Sequence, residues 1–191
     1  MNNTDKLIAN ISKKCHRNNI SFHLIAKDFV MADKNIKCSG YFDENDLVVA
    51  SKKKGWLDIL VHESCHMDQF LGKYPLWNAS DKSLLEFDAW LGGKRVSFNK
   101  LVAHVQNIIE MELDCEKRSV KKIRRYKLSV DVPYYKQQVN AYLLSYWATL
   151  RDRQWYPFPY NKPHIVEKMS KKFMTLEEYF NPDISLLELF K

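Results

Sequence analysis

His62-Glu63-Ser64-Cys65-His66, a His-Glu-x-x-His run, constrains this chain more than any other stretch. On a helix, residues four apart lie on one face, so His62 and His66 can hold a single metal ion between them. Glu63 sits about a quarter-turn round, where a carboxylate can take a proton from metal-bound water. Two imidazoles fix zinc, zinc draws its water toward a neutral pKa, and the adjacent base makes that water a nucleophile. These parts are the minimum for metal-assisted hydrolysis of an amide.

The surroundings predict a helix from about Gly55 to Phe70, with Gly72 as its stop. At about 100° per residue, Leu57, Leu60, Met67 and Leu71 cluster on one side, flanked by Trp56 and Val61. His62, His66 and Gln69 gather on the other. The helix therefore has an apolar back for a sheet and a polar front for a cleft. The plainer alternative is a helix with two surface histidines, but Ile59 and Phe70 flank them and argue against open solvent.

A zinc held by two histidines needs a third protein ligand and leaves one position for water. The next long helical pattern runs from about Phe98 to Tyr126, with Leu101, Val105, Ile108, Ile109, Cys115 and Ile123 spaced for one face. All six fall within about 60° of Glu112 on a helical wheel. Glu110, Asp114, Lys117 and Lys121 occupy the solvated side. An ionised carboxylate in an apolar stripe is costly unless paired or metal-bound, so Glu112 is the candidate third ligand. A buried salt bridge to a nearby Lys or Arg is the alternative. Glu116 follows one turn later in the same stripe, placed to accept the second ring N–H of a ligand histidine.

His62-Glu63-Ser64-Cys65-His66 followed by Glu112-Leu113-Asp114-Cys115-Glu116 resembles the gluzincin zinc metallopeptidases, whose pattern is His-Glu-x-x-His plus a helical Glu-x-x-x-Asp. The resemblance covers roughly residues 36 to 126. It implies His62, His66 and Glu112 as zinc ligands, Glu63 as general base and a zincin-like fold. Glu116 stands where that family has the Asp that orients a ligand histidine, a departure by one methylene.

Around the two motifs, three strands are predicted: Ile20 to Ala26, Ile36 to Phe42 and Leu47 to Ser51. Asp43-Glu44-Asn45-Asp46 is a turn signal joining the last two as a hairpin. In proteins similar to this one, the strand just before the His-Glu-x-x-His helix is an edge strand that pairs with extended substrate, so Leu47 to Ser51 is the candidate for that role. A plain structural hairpin is the alternative. Thr4-Asp5-Lys6 opens a capped amphipathic helix through Leu7, Ile8, Ile11 and Cys15. Further helices are expected near Ser83 to Trp90, over Pro133 to Asp152, from Thr175, and from Ile184 to Phe190. The Trp155-Tyr156-Pro157-Phe158-Pro159-Tyr160 segment is too rigid for helix and is expected on the surface or over the cleft. The expectation is one α+β domain spanning 1–191, a small three-stranded mixed sheet packed on the metal-binding helix, then a mainly helical C-terminal part.

Amide hydrolysis also needs a donor to the tetrahedral oxyanion. Tyr142, Tyr146, Arg151 and His164 are candidates, with Tyr146 preferred because a phenol on a packed helix can reach inward. Core packing is the plainer role for that tyrosine.

With 191 residues and 46% hydrophobic content, the chain can bury a sizeable core. No stretch approaches a membrane span and no signal-peptide block opens the chain. Cys15, Cys38, Cys65 and Cys115 form no C-x-x-C pair, which favours reduced thiols and a cytoplasmic setting. Cys65 and Cys115 adjoin the motifs and could make an enzyme sensitive to oxidation, although free cysteine is usually plain packing. The net charge of +7 fits either a solvated surface or an acidic partner such as nucleic acid. The function expected is zinc-dependent hydrolysis of a peptide or protein substrate. The alternative is a zincin-like binding or regulatory module acting on nucleic acid or a protein bound to it. A zinc deaminase is set aside because its downstream Pro-Cys-x-x-Cys is absent.

Overall fold

A computed structural model describes residues 2–33 and 36–191. The architecture is α+β: a small mixed three-stranded sheet near the N terminus and a mostly helical C-terminal part. Within the span read as one domain, the chain groups into two compact units, residues 1–74 with 115–130, and residues 75–114 with 131–191.

The first unit opens with α1 (Asn3–Arg17). Its cap is Asn2 rather than Thr4: the Asn2 side chain accepts from the Asp5 N–H at 2.8 Å while Asp5 reaches back to the Asn2 N–H. Leu7, Ile11 and Cys15 form its buried face, and the Cys15 thiol meets the Met67 sulfur at 3.4 Å. Five strands follow: β1 (Ser21–Ile25), β2 (Val30–Asp33), β3 (Ile36–Cys38), β4 (Gly40–Phe42) and β5 (Asp46–Ala50). β1 pairs with β5 in parallel and β4 pairs with it antiparallel, giving the order β1-β5-β4.

Two expectations are corrected here. The predicted strand from Ile36 to Phe42 is two strands broken at Ser39, whose carbonyl accepts from the Ala50 N–H at 2.9 Å. β3 instead forms a hairpin with β2, which the sequence reading missed. The segment from Leu47 to Ser51 is also not an edge. β5 lies at the centre of the sheet, and its Leu47, Val48, Val49 and Ala50 are all buried, as a continuous apolar run demands. Its two neighbours, β1 and β4, are the edge strands. The Asp43–Asp46 turn forms as expected, with Asp43 Oδ1 accepting from the Asp46 N–H at 2.8 Å and Glu44 in the left-handed region at φ 75°.

α2 (Trp56–Leu71) carries the His-Glu-x-x-His run and packs on β4 and β5. Gly40 makes that approach feasible, because a Cβ there would stand 2.7 Å from Ile59 Cγ2. Leu60, Val61 and Met67 fill its apolar side, each such burial contributing about 1.5–3 kcal/mol. α4 (Phe98–Arg125) is a single helix of 28 residues, and its portion from Cys115 belongs to this unit.

The second unit contains α3 (Trp77–Leu91), the portion of α4 through Asp114, α5 (Val132–Asp152), a 3₁₀ turn (Pro159–Asn161), and the short helices α6 (Pro163–Val166), α7 (Leu176–Phe180) and α8 (Ile184–Glu188). α5 is its central element, capped by the Asp131 side chain and buried on most sides. Its polar positions hold the C-terminal tail. Gln137 donates to Met169 O at 2.8 Å, and Asn140 donates to Ser170 O at 2.8 Å and Lys172 O at 2.9 Å. The Tyr179 hydroxyl then donates to Asn140 Oδ1 at 2.5 Å. Among the described residues, no helix is long and apolar enough to cross a membrane.

Candidate metal centre

On α2, the His62 and His66 rings meet edge to face, with their Nε2 atoms 3.0 Å apart. The other nitrogen of each ring is held from outside. Glu116, on α4, places Oε1 3.0 Å from His62 Nδ1. Gln69, one turn beyond His66, places its amide oxygen 2.9 Å from His66 Nδ1. A carboxylate and an amide oxygen both accept, so each ring carries its proton on Nδ1 and donates it outward. Both Nε2 atoms are then lone pairs that face each other. Such an arrangement can hold a cation, or share a proton, between them. Two nitrogens on one tetrahedral zinc at about 2.0–2.1 Å stand about 3.3–3.4 Å apart, close to the spacing found.

Cys115 completes a His62, His66, Cys115 group whose ligand atoms all lie within 4.8 Å of one another and which can hold a metal ion. Its thiol stands 3.7 Å from His62 Nδ1, the nitrogen that Glu116 engages, and donates to the His62 carbonyl at 3.4 Å. Its hydrogen bond to Cys65 lowers the pKa of that thiol against the effect of burial, and Lys122 adds to the lowering.

Carboxylates surround the pair. Glu63 is half-buried, and its charge adds to burial in raising the Cys38 thiol on β3. Burial, then the charge of Glu116, raises Asp58, one turn before His62. The opposite side of α2 is anchored by ions. Lys122 bonds Ser64 Oγ at 2.7 Å and Asp68 at 2.8 Å, and Lys14 bonds the other Asp68 oxygen. Burial pushes Asp68 up, but the two ammonium groups hold it below its ordinary value.

Glu112 lies on α4 one turn before Glu116, half-buried and within the second unit. Tyr146 belongs to the same unit. Burial, then the charge of Glu112, raises its phenol well above the ordinary value, so the hydroxyl stays protonated. It pairs with the Tyr142 hydroxyl at 2.8 Å and packs edge-on against Phe87 and Trp155. Of the other oxyanion candidates, Tyr142 bonds Tyr146, Arg151 bonds Asp152 and Glu188, and His164 is exposed on α6. The aromatic-proline segment packs on α5 through Tyr160 against Tyr142.

Sequence reasoning placed Gln69 on the histidine side of α2 but assigned it no role. Its signal was the three-residue spacing from His66. Cys115, within the second motif, could border the site or simply pack, with packing the plainer reading; its closeness to His62 is fixed only by the meeting of α2 and α4. Compared with family models, with curated proteins and with solved structures, the chain matches none.

Proposed function

We propose that this chain is a zinc-dependent peptidase of the gluzincin type with a zincin-like fold. The observation that carries the reading is the convergence of His62 and His66 Nε2 at 3.0 Å while Glu116 and Gln69 take both Nδ1 protons. Nitrogen with carboxylate or thiolate donors suits zinc. When bound, zinc supplies Lewis-acid polarisation of a carbonyl and lowers the pKa of water.

Glu63 takes the proton of the attacking water and returns it to the leaving amine. Tyr146, kept protonated, donates to the developing oxyanion. β4, the edge strand that packs on α2, receives extended substrate by main-chain pairing. Glu112 is assigned as the third ligand because it shares the α4 face with Glu116, one turn away. A second reading is favoured by the cluster itself: Cys115 as third ligand, in a metal site of a binding or regulatory module.

Metal content decides between them. Zinc per chain is measured in the unmodified protein, Glu112→Ala and Cys115→Ser, all purified without added metal. Near-stoichiometric zinc that falls sharply only in Glu112→Ala supports the peptidase site. A fall only in Cys115→Ser assigns the ligand to the thiol. Peptide-library cleavage that is abolished in Glu63→Gln with zinc retained completes the case, and full activity in that variant refutes the mechanism.

A further inference from the structure

We infer that α1 and the C-terminal end of α4 together form a nucleic-acid-binding surface on the first unit. The formal charge of the chain sits entirely in this unit: 18 Lys and Arg against 10 Asp and Glu, a net +8, whereas the second unit has 12 against 13, a net −1. Solvation of a general basic composition gives no such partition. Two contacts bring the charged elements side by side. Asn10 on α1 donates to the Tyr126 hydroxyl at 2.7 Å, and Lys14 shares Asp68 with Lys122.

Lys6, Lys13 and Arg17 lie within about 60° of Asn10 on α1, so they share the face that meets Tyr126. Arg125 and Lys127 flank Tyr126 in the chain, and all five cations are exposed. Asp68 is already engaged by two ammonium groups and Asp5 by the α1 cap, so neither cancels the patch. The Arg125 guanidinium lies over the Tyr126 ring, and Arg118 over that of Tyr74, both at 5.8 Å. Arginine planes beside aromatic rings offer stacking as well as phosphate contact, the pairing that nucleic acid uses. An anionic bilayer is the poorer fit. Among the described residues, the exposed large apolar side chains of this unit are Phe29, Met31 and Ile36, beside or on β2 and β3, and none is on α1 or the end of α4. Without an apolar anchor, a membrane surface gives only diffuse attraction. This inference stands apart from the peptidase reading.

The test is fluorescence anisotropy of the full chain with labelled DNA duplex and RNA strands of about 20 units, between about 50 and 200 mM salt. The expected result is binding that weakens about 100-fold over that range, the response of about four neutralised phosphates. Replacing Lys13, Arg17 and Arg125 together by Glu, and in a second variant by Gln, lowers affinity at least about tenfold and flattens the salt slope. Lys162, Lys168 and Lys171 replaced together by Glu, in the second unit, change it less than about twofold. Equal losses in the two sets of variants overturn the surface assignment. Equal affinity for polyglutamate or phosphatidylserine vesicles overturns the nucleic-acid partner, as does absence of binding at the lowest salt.

Discussion

α2 and α5 anchor their polar surroundings in different ways. Around α2, ionisable groups are held among neutral ones: His66 by Gln69 and His62, Glu116 by His62, and Asp68 by Lys122, which also reaches Ser64. On α5 the fastening groups are neutral amides: Gln137 and Asn140 hold the tail through backbone carbonyls and one tyrosine hydroxyl. Neutral amides hold a scaffold together at any ordinary pH and without a ligand. Ionisable groups are costly to leave incomplete, and those beside His62, His66 and Cys115 would respond to a cation held there. The amides of α5 fasten the tail, whereas the charges around α2 surround the group that could hold a metal ion.

The strongest way to break that contrast is through Glu63. Glu63→Gln should lower peptide cleavage by about 10²–10⁴-fold while zinc content and melting temperature hold, read by a quenched-peptide assay beside metal analysis. Next come the groups that fix the rings. Glu116→Ala and Gln69→Ala should each weaken metal binding by about 10–100-fold in chelator competition. Equal metal affinity in both variants and the parent would mean that the ring tautomers need no holding.

Asn140→Ala, in the second unit, removes two bonds to the tail and leaves the Tyr179 hydroxyl buried without its acceptor. It should destabilise by about 2–4 kcal/mol, lowering the melting temperature by roughly 5–15 °C, and by the same amount with or without chelator. A loss that depends on metal would show that the two kinds of polar interior are not separable. The smallest effect concerns the surface ion pair of the second unit. The Arg151 hydrogen bond holds Asp152 at about 2. A depressed carboxylate contributes stability above its unfolded value, about 3.9, and that contribution disappears as pH falls toward 2. Asp152→Asn should lower the melting temperature slightly near neutrality and flatten its fall between about pH 4 and 2, so that the two proteins converge at the acid end.

Legibility in the sequence followed the range of the interactions. α2, α4 and α5 emerge within a residue or two of their predicted ends, because a long apolar period and its caps are local signals. The capping box of α7, Thr175 with Glu178, was equally plain. β2 was missed because four residues carry too little alternation, and β5 was misplaced at the edge because strand order is set by partners far away in the chain. At the centre, the spacing of His62, His66, Glu112 and Glu116 could be read from helical periodicity. The bond from Glu116 to His62 spans 54 positions, and only the meeting of two helices fixes it. The charge partition was hidden for the same reason, since residues 115–130 rejoin a unit that began at the other end of the chain.

That return of the chain has a consequence for synthesis. On a ribosome adding about 5–20 residues per second, His62 emerges about 3–11 s before the carboxylate that holds its ring. Throughout that interval the nascent protein displays two imidazoles on α2, with neither the α4 thiol nor its carboxylate to steady them. A metal ion met then would find an unfinished site, so any loading of the His62, His66 and Cys115 group would wait for α4 to emerge.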